Sequence, residues 1–251
     1  MKLSGKVAII TGASRGIGKA IAVGYAQEGA NVVVAARTTE EKEGLPGTIH
    51  KTAEEVEKLG AKALAIKCDV TKEEDVDNML RQTLDKFGRV DIMINNAAVA
   101  FYAPLLEMPL RRWELVLAVN LRGTFLCCKA VLPKMVEQGS GSIINLSSGA
   151  AVRRHLSPTG LAYGVAKAGI ERFTWGLAAE VSKHNVAVNC LKPRGAVDTE
   201  GMRFWNPKVD WSQWDSPEMM VKAAIFLAQQ DASGVTGTVA TDEEYCAWHA
   251  L

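Results

Sequence analysis

Residues 6–18 decide the fold, and they read Lys-Val-Ala-Ile-Ile-Thr-Gly-Ala-Ser-Arg-Gly-Ile-Gly. The first five form a short apolar run between Gly5 and Thr11-Gly12, which predicts a buried strand. A pattern of helical period follows the glycines and ends at Gly29. A strand, a glycine-rich turn and a helix together offer a dinucleotide pyrophosphate the free N–H groups of a helix N-terminus. A plain tight turn of an α/β protein is the alternative interpretation.

Strands and helices alternate along the rest of the chain. Alternation of this kind predicts an α/β protein with a Rossmann-type, doubly wound parallel sheet that binds ligands at its carboxyl edge. No repeat or linker interrupts it, so we predict a single domain over residues 1–251. Strands are predicted at 6–10, 31–36, 63–68, 90–95, 142–147, 186–191 and 235–241, and helices at 20–28, 48–59, 72–87, 109–137, 161–183 and 217–229.

The composition excludes several classes of protein. A net charge of +1, from 29 basic and 28 acidic residues, predicts neither a nucleic-acid partner nor an anionic membrane surface. The N-terminus lacks a secretory signal, and we find no run of 18 apolar residues, so no membrane partner and a cytoplasmic location are expected. The five cysteines include no Cys-x-x-Cys pair and the four histidines are scattered, so no disulfide framework and no metal site are predicted.

Tyr163 and Lys167 stand four residues apart in a predicted helix, and Ser147-Ser148 follow a predicted strand. Residues at this spacing lie on one helix face, so the ammonium would stand beside the phenol. A neighbouring positive charge favours the phenolate, and we expect it to lower the Tyr163 pKa from about 10. A phenol tuned in this way can pass a proton between an alcohol and a carbonyl. Ser148 would hold the same oxygen, with Ser147 as the adjacent alternative.

These motifs together resemble those of the short-chain dehydrogenases/reductases, from residue 3 to about residue 240. Taken singly, Asp69 could be a helix cap and Asn95-Asn96 a strand-end turn, but the ordered series is highly specific. The resemblance implies a Rossmann-type oxidoreductase that moves hydride between a nicotinamide cofactor and an alcohol/carbonyl pair. The residues that carry it are the glycine loop, Cys68-Asp69-Val70, Asn95-Asn96-Ala97-Ala98, Asn120, Ser148, Tyr163 and Lys167.

The resemblance implies a role for each matching residue. Tyr163 would be the general acid/base, and Lys167 would lower its pKa and hold the nicotinamide ribose. Ser148 would orient the substrate oxygen, and Asn120 would hold a helix kink and support a proton relay. Asp69 and Val70 would flank the adenine, and Asn95 to Ala97 would stabilise the sheet beside the cofactor. The expected cofactor-binding residues are Gly12, Ser14, Arg15, Gly16, Ile17, Gly18, Arg37, Asp69, Val70, Asn96, Ala97, Tyr163, Lys167 and Pro193.

The end of the second strand indicates which nicotinamide cofactor is used. It reads Ala35-Ala36-Arg37, without the acidic residue that holds the ribose 2′-hydroxyl in NAD-selective folds. Arg15 in the glycine loop supplies a second guanidinium, and two of them converging would grip a 2′-phosphate. We therefore predict NADP, with NAD as the alternative cofactor. The alternative interpretation is that both arginines are solvated surface residues that do not bind a ligand.

Three segments depart from the common family pattern, and all three resemble its hydroxysteroid-dehydrogenase-like branch. Residues 38–47 form a polar insertion, Arg194 follows Pro193 where Gly is usual, and residues 235–244 lack the usual Asp-Gly-Gly. That branch often carries a sterol-carrier domain, and none is expected within these residues. Ahead of Tyr163, the residues Arg153, Arg154 and His155 could meet either substrate or solvent.

Residues from about 196 to 216 form the expected substrate lid. Three of the six tryptophans fall within ten residues there, in a segment too irregular for a helix or strand and too aromatic for a solvated loop. In the family the equivalent segment closes over the substrate, so a bulky apolar alcohol or ketone is expected. The alternative is that these rings pack on the core or on a subunit contact. The aromatic residues concerned are Phe204, Trp205, Trp211 and Trp214.

An enzyme is therefore predicted, with a small-molecule alcohol or ketone as its partner. A nucleotide-binding regulator of the same fold without turnover is the alternative, and the intact set of Ser148, Tyr163, Lys167 and Asn120 argues against it. By family analogy the chain forms a homo-oligomer, a tetramer or a dimer, through the helices near 109–137 and 161–183. Phe125 to Cys128 could serve that contact or the core.

Overall fold

The computed structural model describes residues 1–152 and 159–251. Within these residues, seven parallel strands form one sheet in the order β3-β2-β1-β4-β5-β6-β7. The strands are β1 (Val7–Thr11), β2 (Asn31–Ala36), β3 (Ala63–Lys67), β4 (Ile92–Asn95), β5 (Gly141–Leu146), β6 (Val186–Lys192) and β7 (Val239–Thr241). The helices are α1 (Gly16–Gln27), α2 (Ile49–Lys58), α3 (Glu73–Phe87), α4 (Leu110–Leu117), α5 (Gly123–Gln138), α6 (Leu161–Val181), α7 (Glu200–Trp205), α8 (Glu218–Ala228) and α9 (Asp242–His249).

The sheet is covered on both faces, as the continuous apolar strands require. Successive side chains of β1 point to opposite faces, so Ala8 and Ile10 pack into one core and Ile9 into the other. The first core includes side chains of α1, α2, α8 and α9, and the second includes those of α3, α5 and α6. The Rossmann-type fold predicted from the sequence is confirmed.

Turn chemistry explains where most elements begin and end. Thr48 caps α2 by accepting a hydrogen bond from the backbone N–H of Lys51 at 3.1 Å. Gly88 ends α3 in the left-handed conformation, at φ +73°. The last strand is shorter than predicted, because β7 covers only Val239–Thr241, and the helix α9 that follows it at once was not predicted. Thr241 and Glu244 form a capping box at the start of that helix.

The long helix predicted from about Pro109 is not continuous α-helix. Residues Ala118–Arg122 form a π turn between α4 and α5, and Asn120 lies within it. Pro133 stands inside α5. Among the described residues, one helical stretch, Leu110–Gln138, is long and apolar enough to cross a membrane by length and composition. Because 44% of its apolar window is buried inside the protein and core helices pass the same test, this is a weak indication of a span.

The segment expected to be a lid contains regular structure that the sequence analysis excluded. Thr199 caps α7 by accepting from the Met202 N–H at 3.3 Å, and a 3₁₀ turn covers Trp211–Gln213. The prediction that this segment is too irregular for a helix is therefore wrong for Glu200–Trp205. Strong local capping at Thr199 outweighs the absence of a long apolar period.

Candidate active site

The glycine loop follows β1 and is held by Asn96, which follows β4. The Asn96 side-chain amide donates to the carbonyl oxygens of Thr11 at 2.8 Å and Gly12 at 3.1 Å. Gly12 has φ +67°, and a Cβ there would lie 2.9 Å from the Cα of Ala97. At Gly18 a Cβ would lie 2.4 Å from the Asn96 amide nitrogen. Only glycine therefore allows this close approach of loop and strand end.

A cavity of about 300 Å³ opens beside this loop, at the carboxyl ends of β1 to β4. Its walls come from five separate stretches of the chain, four of which follow strands that the parallel sheet brings to one edge. Eight of the predicted cofactor-binding residues line it, namely Gly12, Ser14, Arg15, Arg37, Asp69, Val70, Asn96 and Ala97. The geometry fits a nucleotide, because the glycines make room for a phosphate chain and the cavity is wide enough for an adenosine.

The two arginines of this cavity are not equivalent. Arg37 follows β2, is largely exposed, and stands 3.9 Å from the carboxylate of Asp69. Arg15 instead donates to the carbonyl oxygens of Pro46 at 3.0 Å and Gly47 at 2.8 Å, both in the 38–47 insertion. The insertion therefore packs on the glycine loop. Arg37 is the guanidinium with more freedom to meet a ligand, which the sequence did not distinguish.

Asp69 is fixed by its own loop. Its carboxylate accepts hydrogen bonds from the backbone N–H of Thr71 at 3.0 Å and from the Thr71 hydroxyl at 2.8 Å. Burial acts to raise the pKa of Asp69, but these hydrogen bonds and the charges of Arg37 and Lys72 hold it below its usual value. Asp69 is therefore a fixed negative charge beside Arg37.

Ser148 and Tyr163 are brought together, as the sequence predicted. Ser148 lies directly beyond β5, Tyr163 lies in the first turn of α6, and a hydrogen bond joins their side chains. Lys167 lies one turn further along α6, with its ammonium 5.5 Å from the centre of the Tyr163 ring. The ammonium donates to the carbonyl oxygen of Leu146 at 2.7 Å. The side chains of Ser148, Tyr163 and Lys167 thus lie close together beside the carboxyl end of β5.

The expected lowering of the Tyr163 pKa is wrong. Burial raises the pKa of Tyr163, and the hydrogen bond with Ser148 offsets this only in part. Burial also lowers the pKa of Lys167 to about 8. Desolvation disfavours the charged form of both groups and is the largest cause of each shift, which helical spacing alone could not reveal. Tyr163 therefore carries its proton at neutral pH.

Ser147, the alternative to Ser148, points into a separate buried network. Its hydroxyl donates to the Glu171 carboxylate at 2.9 Å, and the same oxygen accepts from Lys192 at 3.1 Å. Glu171 stands one turn beyond Lys167 on α6, and Lys192 ends β6. This network joins the ends of β5, α6 and β6. It also leaves Ser148 as the serine that faces Tyr163.

Asn120 lies in the π turn and is fully buried. Its amide nitrogen donates to the carbonyl oxygens of Val99 at 2.7 Å and Val116 at 2.8 Å. Its amide oxygen has no hydrogen-bond partner among the described residues. The side chain therefore ties the loop after β4 to the kinked helix, at the position where the resemblance implies a helix kink.

Pro193 and Arg194 leave β6 at the neck of the lid segment. The Arg194 guanidinium contacts Asp215 at 2.6 and 3.0 Å and Glu243 at 3.0 Å, while its backbone N–H donates to Asp242 at 2.8 Å. The backbone of Asp215 also forms hydrogen bonds with the N–H of Asp198 at 2.8 Å and with the carbonyl oxygen of Ala196 at 3.0 Å. Arg194 thus joins the end of β6 to Asp215 and to α9, which a glycine without a side chain could not do.

Tyr102 is a residue of this site that the sequence analysis missed. Its ring centre is 6.4 Å from that of Tyr163, and it remains more than half exposed. The backbone N–H of Ala103 donates to Thr159 at 2.9 Å, which fixes this loop beside the start of α6. A signal was available, because Tyr102 closely follows Asn95-Asn96 at a strand end of the carboxyl edge.

The lid aromatics form two pairs. Phe204 contacts Trp205 edge to face at 5.0 Å between ring centres, and Trp211 contacts Trp214 in the same manner at 4.6 Å. Trp205 is 73% exposed, so it does not belong to the core. Arg153, Arg154 and His155, which the sequence placed near substrate or solvent, lie outside the described residues.

Within residues 1–152 and 159–251, no group of three or more His, Cys, Asp or Glu side chains is placed to hold a metal ion. The five cysteines carry free thiols, and four of them are buried. Cys127 and Cys128 face the core, whereas Phe125 is 46% exposed. Of the segment 125–128, which was expected to serve either a subunit contact or the core, the cysteines therefore belong to the core and Phe125 to the surface.

Comparison with known proteins agrees with this geometry. The family model for short chain dehydrogenases matches residues 6–210. Hydroxysteroid dehydrogenase-like protein 2 of Danio rerio is 38% identical over 243 residues, which is 97% of this chain and 58% of that protein. The Bos taurus protein of the same name is 38% identical over 96% of this chain and 57% of its own length. The chain therefore spans less than two thirds of the curated relatives it matches.

The structure is also similar to solved structures along nearly its whole length. A crystal structure of a short chain dehydrogenase from Mycobacterium thermoresistibile superposes with a TM-score of 0.90 at 32% identity, covering 99% of this chain and 89% of that one. The sheet order, the glycine loop and the family match all lead to one assignment. The chain belongs to the short-chain dehydrogenase family.

Proposed function

We propose that this protein is an NADP(H)-dependent oxidoreductase that interconverts an alcohol and a carbonyl, with a bulky apolar substrate. The observation that carries the proposal is the pairing of Ser148 with Tyr163 at the sheet edge that also holds the nucleotide-sized cavity. Family membership supports a nicotinamide cofactor. A binding protein without turnover would not need a half-buried phenol and hydroxyl beside a buried ammonium on one side of the strand ends.

The proposed chemistry assigns one task to each side chain. When bound, the cofactor supplies or accepts the hydride. In the reducing direction the Ser148 hydroxyl holds the substrate carbonyl oxygen, and Tyr163 donates its phenolic proton to that oxygen. Because burial raises the pKa of Tyr163, the phenol is protonated at neutral pH and ready to act as the acid. In the oxidising direction the phenol must first lose its proton, and the Tyr163 phenolate oxygen then accepts the proton of the alcohol.

Lys167 assists through its charge and its position. With a pKa near 8 it is largely protonated at pH 7, and its charge stabilises a phenolate that forms 5.5 Å away, measured to the ring centre. Lys167 and Asn120 would respectively hold the nicotinamide ribose and fix the loop after β4. Pro193 and Ile17 would complete the cofactor contacts, as the family resemblance implies.

The choice of NADP rests on Arg37. It ends β2 at the cavity wall, where NAD-selective folds carry an acid. The test is Arg37→Asp, with NADPH and NADH binding followed by the fluorescence of the reduced nicotinamide. We expect NADPH affinity to fall at least tenfold, because the variant removes a bidentate phosphate partner and adds a repelling charge. Wild-type preference for NADH, or an unchanged NADPH affinity in the variant, would refute the choice.

The substrate class rests on the aromatic surface of the lid and on Tyr102. Phe204 and Trp205 are exposed on α7, and each such ring can bury roughly 150–250 Å² against a ligand. We therefore expect bulky apolar ketones to be reduced faster than small polar ones, measured by loss of NADPH absorbance. Replacing Trp205 by Ala should lower kcat/KM for apolar ketones with little change in melting temperature. Replacing Trp214, which packs on Trp211, serves as the control for lid folding.

We also propose a homo-oligomer, a tetramer or a dimer, formed through the outer faces of α5 and α6. Phe125 on α5 and Phe173 on α6 meet at 6.5 Å between ring centres, and both line a groove on this surface. Trp175 on α6 is 48% exposed. Sedimentation of the wild type and of Phe125→Glu tests this, because a buried charge in the contact should shift the protein toward the monomer.

A further inference from the structure

Glu200 lies at the N-terminus of α1, the helix end that binds a dinucleotide pyrophosphate in folds of this type. It begins α7, and its carboxylate accepts a hydrogen bond from the backbone N–H of Gly16 at 3.0 Å. Gly16 is the first residue of α1, whose own first turn has no acidic residue and whose N-cap Arg15 makes no side-chain capping bond. A residue 184 positions away in sequence therefore supplies the negative charge that this helix end favours.

The rest of α7 is seated on the same loop. A Cβ at Gly16 would lie 3.5 Å from the side chain of Thr199, which caps α7. On its other side α7 meets the 38–47 insertion, since a Cβ at Gly44 would lie 3.2 Å from the Phe204 ring. The insertion in turn packs on the glycine loop, where a Cβ at Gly47 would lie 2.5 Å from the Ser14 carbonyl oxygen. Lid helix, insertion and glycine loop form one contact.

A dinucleotide pyrophosphate binds to free N–H groups at such a helix start. We propose, on the basis of the function proposed above, that Glu200 is an internal anion that competes with the cofactor pyrophosphate for the N-terminus of α1. Cofactor binding displaces the carboxylate and so releases α7 from the glycine loop. Lys19, whose ammonium lies 2.8 Å from Glu55 and 4.0 Å from the other Glu200 carboxylate oxygen, offers the displaced side chain a shared partner. Glu200 thereby sets cofactor affinity and couples the lid to the nucleotide.

The test compares two charge-removing variants and two ligands. Glu200→Gln should bind NADPH about tenfold more tightly than the wild type, because it removes one charge-assisted hydrogen bond that the pyrophosphate must replace. Glu218→Gln is the matched control, since Glu218 lies in the first turn of α8 and lines a groove beside α1 together with Gly16 and Glu200. It should leave NADPH affinity unchanged. Adenosine 2′-monophosphate, which has no pyrophosphate, should bind the wild type and both variants equally. Glu200→Ala is a second variant with the same expected gain.

Each other outcome overturns the inference. Unchanged or weaker NADPH binding by both Glu200 variants shows that the carboxylate does not compete. An equal gain for adenosine 2′-monophosphate, or for NADPH in Glu218→Gln, shows a general change of surface charge instead. These results leave the proposed oxidoreductase intact, whereas a wild-type protein that binds neither ligand refutes the proposed function itself.

Discussion

The buried pair of Glu171 and Lys192 allows a quantitative test of how the site is held together. The Lys192 ammonium lies 3.1 Å from a Glu171 carboxylate oxygen, and the two side chains are only 11% and 9% exposed. Ser147 donates to the same oxygen at 2.9 Å. Lys192→Met removes the ammonium and leaves the carboxylate buried with the Ser147 hydroxyl. Stranding one partner of a buried pair typically costs 3–5 kcal/mol, and the remaining hydrogen bond puts this variant near about 3 kcal/mol.

Glu171→Leu strands the ammonium in the same way and should lower the free energy of unfolding by about 3 kcal/mol. The double variant replaces both charges by apolar groups of similar volume, so its loss should be about 1 kcal/mol. Ser147 keeps an acceptor in that variant, because its hydroxyl also reaches the Lys167 carbonyl at 3.4 Å. The loss in the double variant should thus be far smaller than the sum of the single losses.

Urea unfolding of the four proteins, read by tryptophan fluorescence, measures the cycle. The exposed pair of Glu73 and Lys129, at 2.8 Å, provides the control, and its cycle should show no measurable coupling because water screens both charges. Additive losses at Glu171 and Lys192 would refute the reasoning. They would show that the two charges are independently solvated despite their burial.

Three further predictions concern single groups. Tyr163→Phe keeps the ring but removes the transferable proton, so kcat should fall about 10²-fold or more while NADPH binding is retained, and wild-type turnover would contradict the assigned role. Because burial lowers the pKa of Lys167 from 10.5 to about 8, the unfolded chain binds an additional proton between those values, and stability should rise with pH across that window. Between pH 7.5 and 10, the free energy of unfolding of the wild type should rise by about 2–3 kcal/mol more than that of Lys167→Met, as measured by urea unfolding. Parallel pH profiles of the two proteins would contradict this expectation. Gly12→Ala forces a Cβ to within 2.9 Å of Ala97 at φ +67°, so NADPH affinity should drop at least tenfold in titration, whereas Gly60→Ala, with φ +87° and open space around it, should lower only stability.

Local sequence rules predicted the features that depend on neighbouring residues. The bounds of β2 are those predicted, and α2 begins after Thr48 and ends before Gly60 because capping and stop signals act within one turn. The pairing of Tyr163 with Lys167 on one helix face likewise follows from their spacing. Such features need no knowledge of the distant chain.

The features that the sequence did not reveal depend on tertiary contacts. The sign of the Tyr163 pKa shift comes from burial, which only the assembled site defines. Arg15 donates hydrogen bonds to carbonyl oxygens that lie about 31 residues further along the chain. Glu200 accepts a hydrogen bond from the Gly16 N–H, which is 184 residues away in sequence. The role of Arg194 likewise needed Asp215 to be placed beside it. Several residues of the sequence could have paired with each of these side chains, and only the folded structure shows which one does.

The π turn at Asn120 has a consequence for the direction that each half of its helix faces. An α-helix advances about 100° per residue, so one additional residue in a turn shifts the helical phase of α5 against α4 by about that angle. Val116 before the turn therefore packs on α6, whereas Val131 after it faces the sheet. Deleting one residue from 118–122 would restore a uniform helix and swing the two halves into a common phase. Either the contact with α6 or the layer over the sheet would then lose its apolar face.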